Sequence, residues 1–350
     1  MTYEWAKSSY SGKAIKRAGE SLISKEVDSS IRYEAMQVLS DWRASHAYPL
    51  HAILILLRKK SNIVDKSSIV VRRLKRTPSI VSKLVRYPDM KLHRMQDIGG
   101  CRSIVSSVKN VERLLDKLQS SRTNHVIHKV KNYISEPKDT GYRGVHVIYK
   151  YNASKVEYRD YFIEVQLRSK IQHAWATAVE IVDTYTKQAL KSNQGDADWR
   201  KFFVYASSEF AKLEGRTSGD HVYGVDTNKE MQSYLKKLNV INKLNAFSES
   251  SKFIFESGKK EFAYFLLDIQ HGADGVMVTV SGYKSSQLND ATARYLELEK
   301  ASSNESSHDV VLVSAGSLKE LKKAYPNYSA DSKEFIKYIH QALSPSRSLA

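Results

Sequence analysis

Apolar and polar residues alternate between residues 163 and 168, which is the period of a β-strand. One face of this predicted strand carries Tyr161, Ile163, Val165 and Leu167. The other face carries Glu164, Gln166 and Arg168. An acid, an amide and a base in one row are unusual on a strand, and their purpose is the first question that the sequence raises. A helix over 169–191 is predicted to follow at once.

Similar patterns predict a series of strands and helices before this point. Strands are predicted at 68–76, within 97–107, and at 124–134, 145–151 and 158–168. Helices are predicted at 26–46, 49–60, 77–87 and 108–121. Pro49 and the pair Thr77-Pro78 mark two of the helix starts. The first helix is predicted to bury a stripe formed by Ile31, Met36, Val38, Leu39 and Trp42.

A second, smaller set of elements starts near residue 250. Its strands are predicted at 253–257, 261–270, 275–283 and 309–315, and its helices at 288–301, 317–325 and 329–343. The fold class predicted is α+β, a mixed β-sheet flanked by helices, with a smaller α/β C-terminal domain. The predicted divisions are a helical segment at 1–66, a central domain at 67–195, a helical connector at 196–248 and a C-terminal domain at 249–350.

The composition narrows the class of protein. The chain has 350 residues, enough for two ordinary domains. The apolar run at residues 52–57 is far too short to cross a bilayer, and the first twenty residues lack the apolar core of a signal peptide. Cys101 is the one cysteine, so a disulfide framework and a cysteine metal cluster are excluded. These features predict a cytoplasmic protein with no membrane partner.

The positive charge is concentrated in one part of the chain. The net charge is +17, and residues 51–150 hold 22 Lys and Arg against 7 Asp and Glu. The remaining residues hold 33 against 31 and are almost balanced. A basic surface in general would spread the charge more evenly. The concentration therefore indicates a polyanionic partner or a site that binds several phosphates at once.

One basic segment suits a triphosphate. Arg73 and Lys75 are two residues apart on a predicted strand and so share a face. The next helix places Ser79 and Lys83 on one side, and its N-terminus offers free N–H groups to an anion. A solvated basic face is the alternative for this segment taken alone. The chain has no glycine-rich P-loop and no kinase-type glycine motif, so any nucleoside triphosphate is bound by another scaffold.

Two carboxylates lie among these cations. Asp97 precedes the pair Gly99-Gly100 and a predicted strand. It is either a salt-bridge partner of the cations or a metal ligand. Mg²⁺ that binds with phosphates typically takes one or two protein carboxylates, and Glu164 is the candidate for the second.

Four ordered blocks within residues 67–190 resemble the synthetase domain of the RelA/SpoT family, a nucleotidyltransferase-like fold whose members make the alarmones ppGpp and pppGpp. The blocks are RRLKRTPSIVSK, QDIGGCRSIV, VKNYISEPKDTGYRGVHVIY and FIEVQLRSKIQHAWATAVE. Each block alone is a modest match, and four in order are a specific one. Gly144 departs from the small hydroxyl residue usual at its position. The resemblance does not extend to a hydrolase domain.

The resemblance implies a pyrophosphokinase, which transfers the β,γ-pyrophosphate of ATP to the 3′-hydroxyl of GDP or GTP. It implies that Asp97 and Glu164 hold Mg²⁺ and that Glu164 helps to deprotonate the attacking hydroxyl. The residues implied to bind ATP are Arg73, Lys75, Ser79, Lys83 and Arg102. Tyr142 is implied to stack on the acceptor guanine. The other residues implied to bind the acceptor are Lys131, Lys138, Arg143, His146, Gln166 and Arg168.

Two alternatives stay open. Toxic small members of the same family direct this chemistry at the 3′-CCA end of tRNA, and the concentrated charge favours a large polyanion. A regulator that keeps the fold without the reaction is the second, and the presence of Asp97, Glu164, Arg73, Lys75 and Tyr142 argues against it. The C-terminal domain is expected to receive a protein trigger or inhibitor.

Overall fold

A computed structural model describes most of the chain. The described residues are 5–152, 155–186, 197–217, 219, 222–255, 262–272, 275–302, 308–314 and 332–344. The helix predicted at 317–325 lies outside these residues, as do parts of the predicted strands and loops around 187–196 and 256–261.

The described helices agree with the predicted ones to within a few residues. They are α1 Gly12–Ile23, α2 Ser29–Ser45, α3 Ala47–Val64, α4 Thr77–Arg86, α5 Val108–Gln119, α6 Lys170–Thr186, α7 Ala197–Leu213, α8 Thr227–Lys237, α9 Val240–Ser250, α10 Leu288–Ser302 and α11 Lys333–Leu343. The stripe predicted for α2 is wrong at Ile31, which is 48% exposed. Leu39 of the predicted stripe is fully buried, Met36, Val38 and Trp42 are partly buried, and Ala35, which was not predicted, joins the same core cluster with residues of α1 and α4.

The strands form one mixed sheet. They are β1 Ile69–Leu74, β2 Gly99–Val105, β3 Val126–Asn132, β4 Val145–Lys150, β5 Phe162–Ser169, β6 Ser251–Phe255, β7 Tyr264–Gly272, β8 Gly275–Tyr283 and β9 His308–Ser314. Within the described residues the order across the sheet is β3-β4-β5-β2-β1-β9-β7-β8-β6. The predicted class, a mixed sheet flanked by helices, is confirmed.

The strand β5 lies between β2, which runs parallel to it, and β4, which runs antiparallel. Ile163, Val165 and Leu167 are completely buried against α3 and α5. Burying each of these side chains stabilises the fold by roughly 1.5 to 3 kcal/mol. Since side chains alternate along a strand, this burial forces the polar residues of β5 to the opposite face. That face carries the candidate site.

The C-terminal strands extend this same sheet. β9 pairs antiparallel with β1, where Arg72 lies opposite Ser314 and Arg73 lies opposite Val313. β9 in turn pairs with β7 along most of its length. The predicted C-terminal strands therefore do not form a sheet of their own. The proposed domain boundaries stay a prediction.

The chain continues from β5 directly into α6, and α6 belongs to a cluster of helices that packs beside the sheet. α6, α7, α8, α9 and α11 pack around Trp199, Phe202 and Phe335, which are almost fully buried. Among the described residues, no helix combines the length and the apolar character that a membrane span requires.

Candidate active site

The polar faces of adjacent strands form one continuous surface. In register across the sheet, Lys131 of β3 lies opposite His146 of β4, His146 opposite Gln166 of β5, and Gln166 opposite Arg102 of β2. One residue pair further along β5, Glu164 lies opposite Gly100. Residues from three of the four sequence blocks thus meet at one level of the sheet.

Glu164 is held by two donors. His146 Nδ1 donates to one carboxylate oxygen at 3.0 Å, and Gln166 Nε2 donates to the other at 2.8 Å. Burial opposes the charged form of Glu164, but the adjacent His146, Gln166 and Lys75 outweigh it and hold the pKa of Glu164 below its ordinary value. Glu164 is therefore a carboxylate at neutral pH, with both oxygens oriented.

His146 links Glu164 to Tyr142. Its Nε2 lies 2.6 Å from the Tyr142 hydroxyl. Burial favours neutral imidazole, yet the neighbouring Tyr142 and Glu164 raise the pKa of His146 to about 9. Burial likewise opposes ionisation of Tyr142, while Arg168 and His146 lower the pKa of Tyr142 to about 8. Glu164, His146 and Tyr142 therefore form a hydrogen-bonded series that runs from β5 through β4 to the loop before β4.

Gln166 connects Glu164 to the guanidinium groups of Arg102 and Arg168. Its Oε1 accepts from Arg102 Nε at 3.3 Å and from Arg168 Nη2 at 3.2 Å. Arg168 also donates from Nε to the Tyr142 hydroxyl at 3.3 Å, and its guanidinium carbon lies 5.2 Å from the centroid of the Tyr142 ring. One neutral amide therefore sets the positions of two cations, since it accepts from both.

A second cluster lies where β1 and β2 meet α4. Asp97 Oδ2 accepts from Lys83 Nζ at 2.7 Å and from Lys75 Nζ at 3.2 Å. Burial lowers the pKa of Lys75, although Asp97 acts in the opposite direction. The charge of Lys75 also lowers the pKa of Glu164, so this ammonium acts on both carboxylates. That Asp97 and Glu164 belong to one site stays a prediction.

The remaining predicted ATP residues surround this cluster. Arg73 lies on β1 opposite Gly100 and lines the cavity described below. Ser79 lies in the first turn of α4, one helical turn before Lys83. A Cβ on Gly100 would lie 3.9 Å from the Arg73 carbonyl oxygen and 4.0 Å from the Glu164 carbonyl oxygen, so Gly100 lies between these two residues of the adjacent strands.

The donor set fits a divalent cation held together with phosphates. Asp97 Oδ1 is buried and accepts no hydrogen bond from the described residues. Among those residues, no group of three or more His, Cys, Asp or Glu side chains is placed to hold a metal ion by itself. A site built from Asp97 and Glu164 would thus need further oxygen ligands, which nucleotide phosphates and water supply in such sites.

The loop before β4 is fastened to α7. The Ser207 hydroxyl donates to the Gly141 carbonyl at 2.5 Å. Gly141 has φ +83°, and a Cβ there would lie 3.1 Å from Val204 Cα and from Ser207 Cβ. Trp175 of α6 donates from Nε1 to the Phe203 carbonyl at 2.8 Å, which ties α6 to the same helix. The loop that carries Tyr142 is therefore shaped by a helix that lies after all four motifs.

Lys138 and Tyr133 contact the ring of Tyr142, and Lys131 of β3 lies beside His146. Lys138 Nζ lies 5.3 Å from the centroid of the Tyr142 ring and 4.5 Å from that of Tyr133. Lys131 faces His146, and burial lowers the pKa of Lys131. Tyr133 also contacts the ring of His146 with centroids 5.3 Å apart. Tyr133 was not among the predicted site residues, although it lies inside the third block.

Arg143 lies apart from the other predicted acceptor residues, which corrects its assignment. It is 6% exposed and donates from Nη2 to the Thr217 carbonyl at 3.2 Å. It faces a small cavity beside Glu214 and Gln172, on the side of the loop away from Tyr142. Tyr142 lines the larger cavity over the polar face and Arg143 lines the smaller one, so the two neighbours face different cavities.

A cavity of about 730 Å³ opens over the polar face. Predicted residues that line it are Arg73, Arg102, Lys138, Tyr142, His146, Gln166 and Arg168. Its far wall comes from α6 and α7, with Trp175, Val179, Arg200, Lys201 and Tyr205. The α7 residues had no motif by which the sequence could reveal them. Their position depends on how α7 packs against the Gly141 loop.

Comparison with known proteins supports this assembly. Residues 72–189 match the family described as the region found in RelA / SpoT proteins. The chain is 32% identical over 156 residues to the GTP pyrophosphokinase YwaC of Bacillus subtilis (strain 168), covering 40% of this chain and 73% of that protein. It is 29% identical over 111 residues to the GTP pyrophosphokinase YjbM of the same organism, covering 31% of this chain and 52% of that protein.

Solved structures of similar proteins include the small alarmone synthetase 1 from Bacillus subtilis bound to its product pppGpp. That structure has a TM-score of 0.44 and 21% identity, and the match covers 53% of this chain and 93% of that one. A GTP pyrophosphokinase family protein from Streptococcus pneumoniae matches with a TM-score of 0.43 and 20% identity, over 58% of this chain and 96% of that one.

The match at 72–189 spans every strand that meets at Glu164, and the identity to YwaC extends over most of that protein. The chain therefore belongs to the RelA/SpoT family and carries its synthetase domain.

Proposed function

We propose that the chain is a pyrophosphokinase that transfers the β,γ-pyrophosphate of ATP to the 3′-hydroxyl of GDP or GTP. The observation that carries the proposal is the position of Glu164. It lies on the open face of the sheet between His146 and Gln166, next to the cluster of Lys75, Asp97 and Lys83. Both similar proteins from Bacillus subtilis are GTP pyrophosphokinases.

The cations suit the donor nucleotide. Transfer of this kind needs alignment and neutralised charge more than covalent chemistry. Lys75 and Lys83 would hold the phosphates, with Ser79 and the N-terminus of α4 beside them. Arg73 and Arg102 lie on adjacent strands, where they can contact ATP from the other side. Asp97 keeps both ammonium groups oriented before the nucleotide arrives.

Mg²⁺ would be held by Asp97 and Glu164, and when bound it would neutralise charge that develops on the phosphate oxygens. The buried, unbonded Oδ1 of Asp97 is the group that fits it best. Lys75 Nζ, which lies 3.2 Å from the other oxygen of Asp97, occupies the adjacent position.

Glu164 would receive the acceptor hydroxyl. Because its pKa is held low, Glu164 is a weak base whose main effect is to accept the hydrogen bond of the 3′-hydroxyl and orient it toward the phosphorus. His146 and Gln166 fix the direction of that lone pair. Tyr142 would stack on the acceptor base, with its hydroxyl anchored by His146 and Arg168.

Transfer of label from γ-labelled ATP tests this proposal. The protein is incubated with Mg²⁺ and, in parallel, with GDP, GTP or deacylated tRNA. Label in GDP or GTP is the expected result. Label in the tRNA alone would show that the acceptor is an RNA 3′ end and not GDP or GTP. The tRNA is included because residues 51–150 carry a net charge of +15, which favours a large polyanion. Label on none of the three would refute the proposal.

The loop that carries Tyr142 gives a first mutational prediction. Gly141→Ala should raise the KM for the acceptor at least about tenfold while the KM for ATP changes less than about twofold. The added Cβ meets Val204 and Ser207, and alanine disfavours φ +83°. The free energy of unfolding should fall by about 1 to 3 kcal/mol.

Gly12→Ala is the matched control, since a Cβ at this position would meet no atom within 4 Å. Steady-state kinetics with each substrate varied in turn would measure the effect. Equal increases in both KM values for Gly141→Ala would show that the loop does not act on the acceptor alone.

A further inference from the structure

A buried arginine, Arg43, lies outside the region matched to the family and contacts the backbone of the predicted ATP-binding residue Lys75. Arg43 lies on α2, is 2% exposed, and donates from Nε to the Lys75 carbonyl at 2.5 Å. The Lys75 amide donates to the Ile98 carbonyl at 2.8 Å. Both backbone polar groups of Lys75 are thus held, one by Arg43 and the other by the residue that follows Asp97.

The same guanidinium contacts the C-terminal part of the chain. Its carbon lies 4.9 Å from the ring centroid of Tyr295, a residue of α10 that is 3% exposed. Tyr295 packs with Leu266 of β7 and Val310 of β9. A cation over an aromatic face is attracted to the ring, and more strongly when water is excluded. The face of the Arg43 guanidinium therefore contacts Tyr295, while the edge of the same guanidinium donates to the Lys75 carbonyl.

We propose that Arg43 is a positioning residue for the ATP-binding end of β1, acting through the backbone of Lys75, and that Tyr295 holds Arg43 in place. This inference deepens the proposed function and rests on it for the identity of the ligand. Arginine suits the position because a planar guanidinium donates from its edge and stacks by its face at the same time, which lysine cannot do. Without Arg43, the Lys75 carbonyl loses a buried donor.

The residues around Lys75 explain why the contact with Arg43 should affect the binding of ATP more than that of the acceptor. Lys75 is bonded to Asp97, and its neighbour Arg73 pairs with β9. The acceptor loop, in contrast, is fastened by Ser207 of α7, far along the chain from Arg43. Displacing Lys75 should therefore weaken ATP binding much more than acceptor binding.

Binding measurements on Arg43→Met test the proposal. The dissociation constants for a non-hydrolysable ATP analogue and for GDP are measured separately by calorimetry. The expected result is an analogue Kd raised at least about tenfold, with the GDP Kd within about twofold of the wild-type value. Arg72→Met is the matched control. Arg72 is 7% exposed on the same strand and lies over the ring of Tyr264, but it donates to the Ala47 carbonyl.

Arg72→Met should leave both dissociation constants within about twofold of the wild-type values. An unchanged analogue Kd in Arg43→Met, or equal losses for the analogue and GDP, would overturn the proposal. If Arg43→Met does not fold, the same binding measurements on Tyr295→Leu test the proposal, because this variant keeps Arg43 and removes the aromatic ring that it contacts. An unchanged analogue Kd in a folded Tyr295→Leu would equally overturn it.

Hydrogen exchange separates this inference from the proposed function, since it needs no ligand. Amide exchange across residues 72–80 should be faster in Arg43→Met than in Arg72→Met, because the Lys75 backbone loses its donor. Faster exchange in a protein that binds neither nucleotide would refute the proposed function and retain the positioning role. Equal exchange in the two variants would refute the positioning role alone.

Discussion

Glu164→Gln should lower kcat for pyrophosphate transfer by at least about 100- to 1,000-fold. The substitution keeps the shape of the side chain, but it replaces one of the two oxygens that accept from His146 and Gln166 with an NH2 group, which donates. It also removes the charge that orients the acceptor hydroxyl and contributes to the proposed metal site. The Kd for an ATP analogue in the absence of metal should change less than about threefold, because the analogue's phosphates are bound chiefly by Lys75 and Lys83.

The same variant has a spectroscopic readout. The carboxylate of Glu164 helps to raise the pKa of His146 to about 9, so Glu164→Gln should lower that pKa. Nuclear magnetic resonance of the imidazole across pH 5 to 10 would follow it. Glu20→Gln is the control, because Glu20 pairs with Lys91 at 3.0 Å on the surface. A Glu164→Gln enzyme that retained wild-type kcat would remove Glu164 from the reaction.

Asp97→Asn should produce the second large loss, a fall of about 100-fold in kcat at limiting Mg²⁺. An amide binds magnesium weakly, and it leaves Lys75 and Lys83 without their shared anion. The concentration of Mg²⁺ that gives half-maximal rate should rise at least about tenfold. Part of the lost rate should therefore return at high Mg²⁺.

The control for this variant is Asp65→Asn. Asp65 accepts from the amides of Ser67 at 2.8 Å and Ser106 at 2.7 Å, and so caps local structure away from the cavity. It should cost stability without changing the Mg²⁺ requirement. An unchanged requirement in Asp97→Asn would mean that Asp97 serves only to orient the two lysines.

Much of the site could be predicted because its residues follow local rules. Alternation along β5 places Glu164, Gln166 and Arg168 on one face whenever Ile163, Val165 and Leu167 are buried. Helical spacing likewise places Ser79 and Lys83 on one side of α4. Arg143 shows the limit of reading a block as a unit, since its neighbour Tyr142 faces the cavity while Arg143 is buried against Thr217.

The C-terminal strands show a second limit. Their alternation predicts strands correctly, but a strand pattern does not specify which edge the strand will join. Within the described part of the chain, two pairs of residues connect β9 to β1. Val313 and Ser314 continue the apolar and small residues of the strand pattern, and nothing in their side chains specifies β1 as the partner. The single sheet therefore could not be distinguished from two separate sheets.

The sequence by itself determined the strand faces, the order of the four motifs and the concentration of charge, since each depends on residues close together in the chain. The tertiary structure alone decided which distant groups hold those motifs in place. Ser207 fastens the Gly141 loop from 66 residues away, and Arg43 reaches the Lys75 carbonyl from 32 residues away. Such contacts form when buried polar groups must find partners, and which partner lies within reach depends on how whole helices pack.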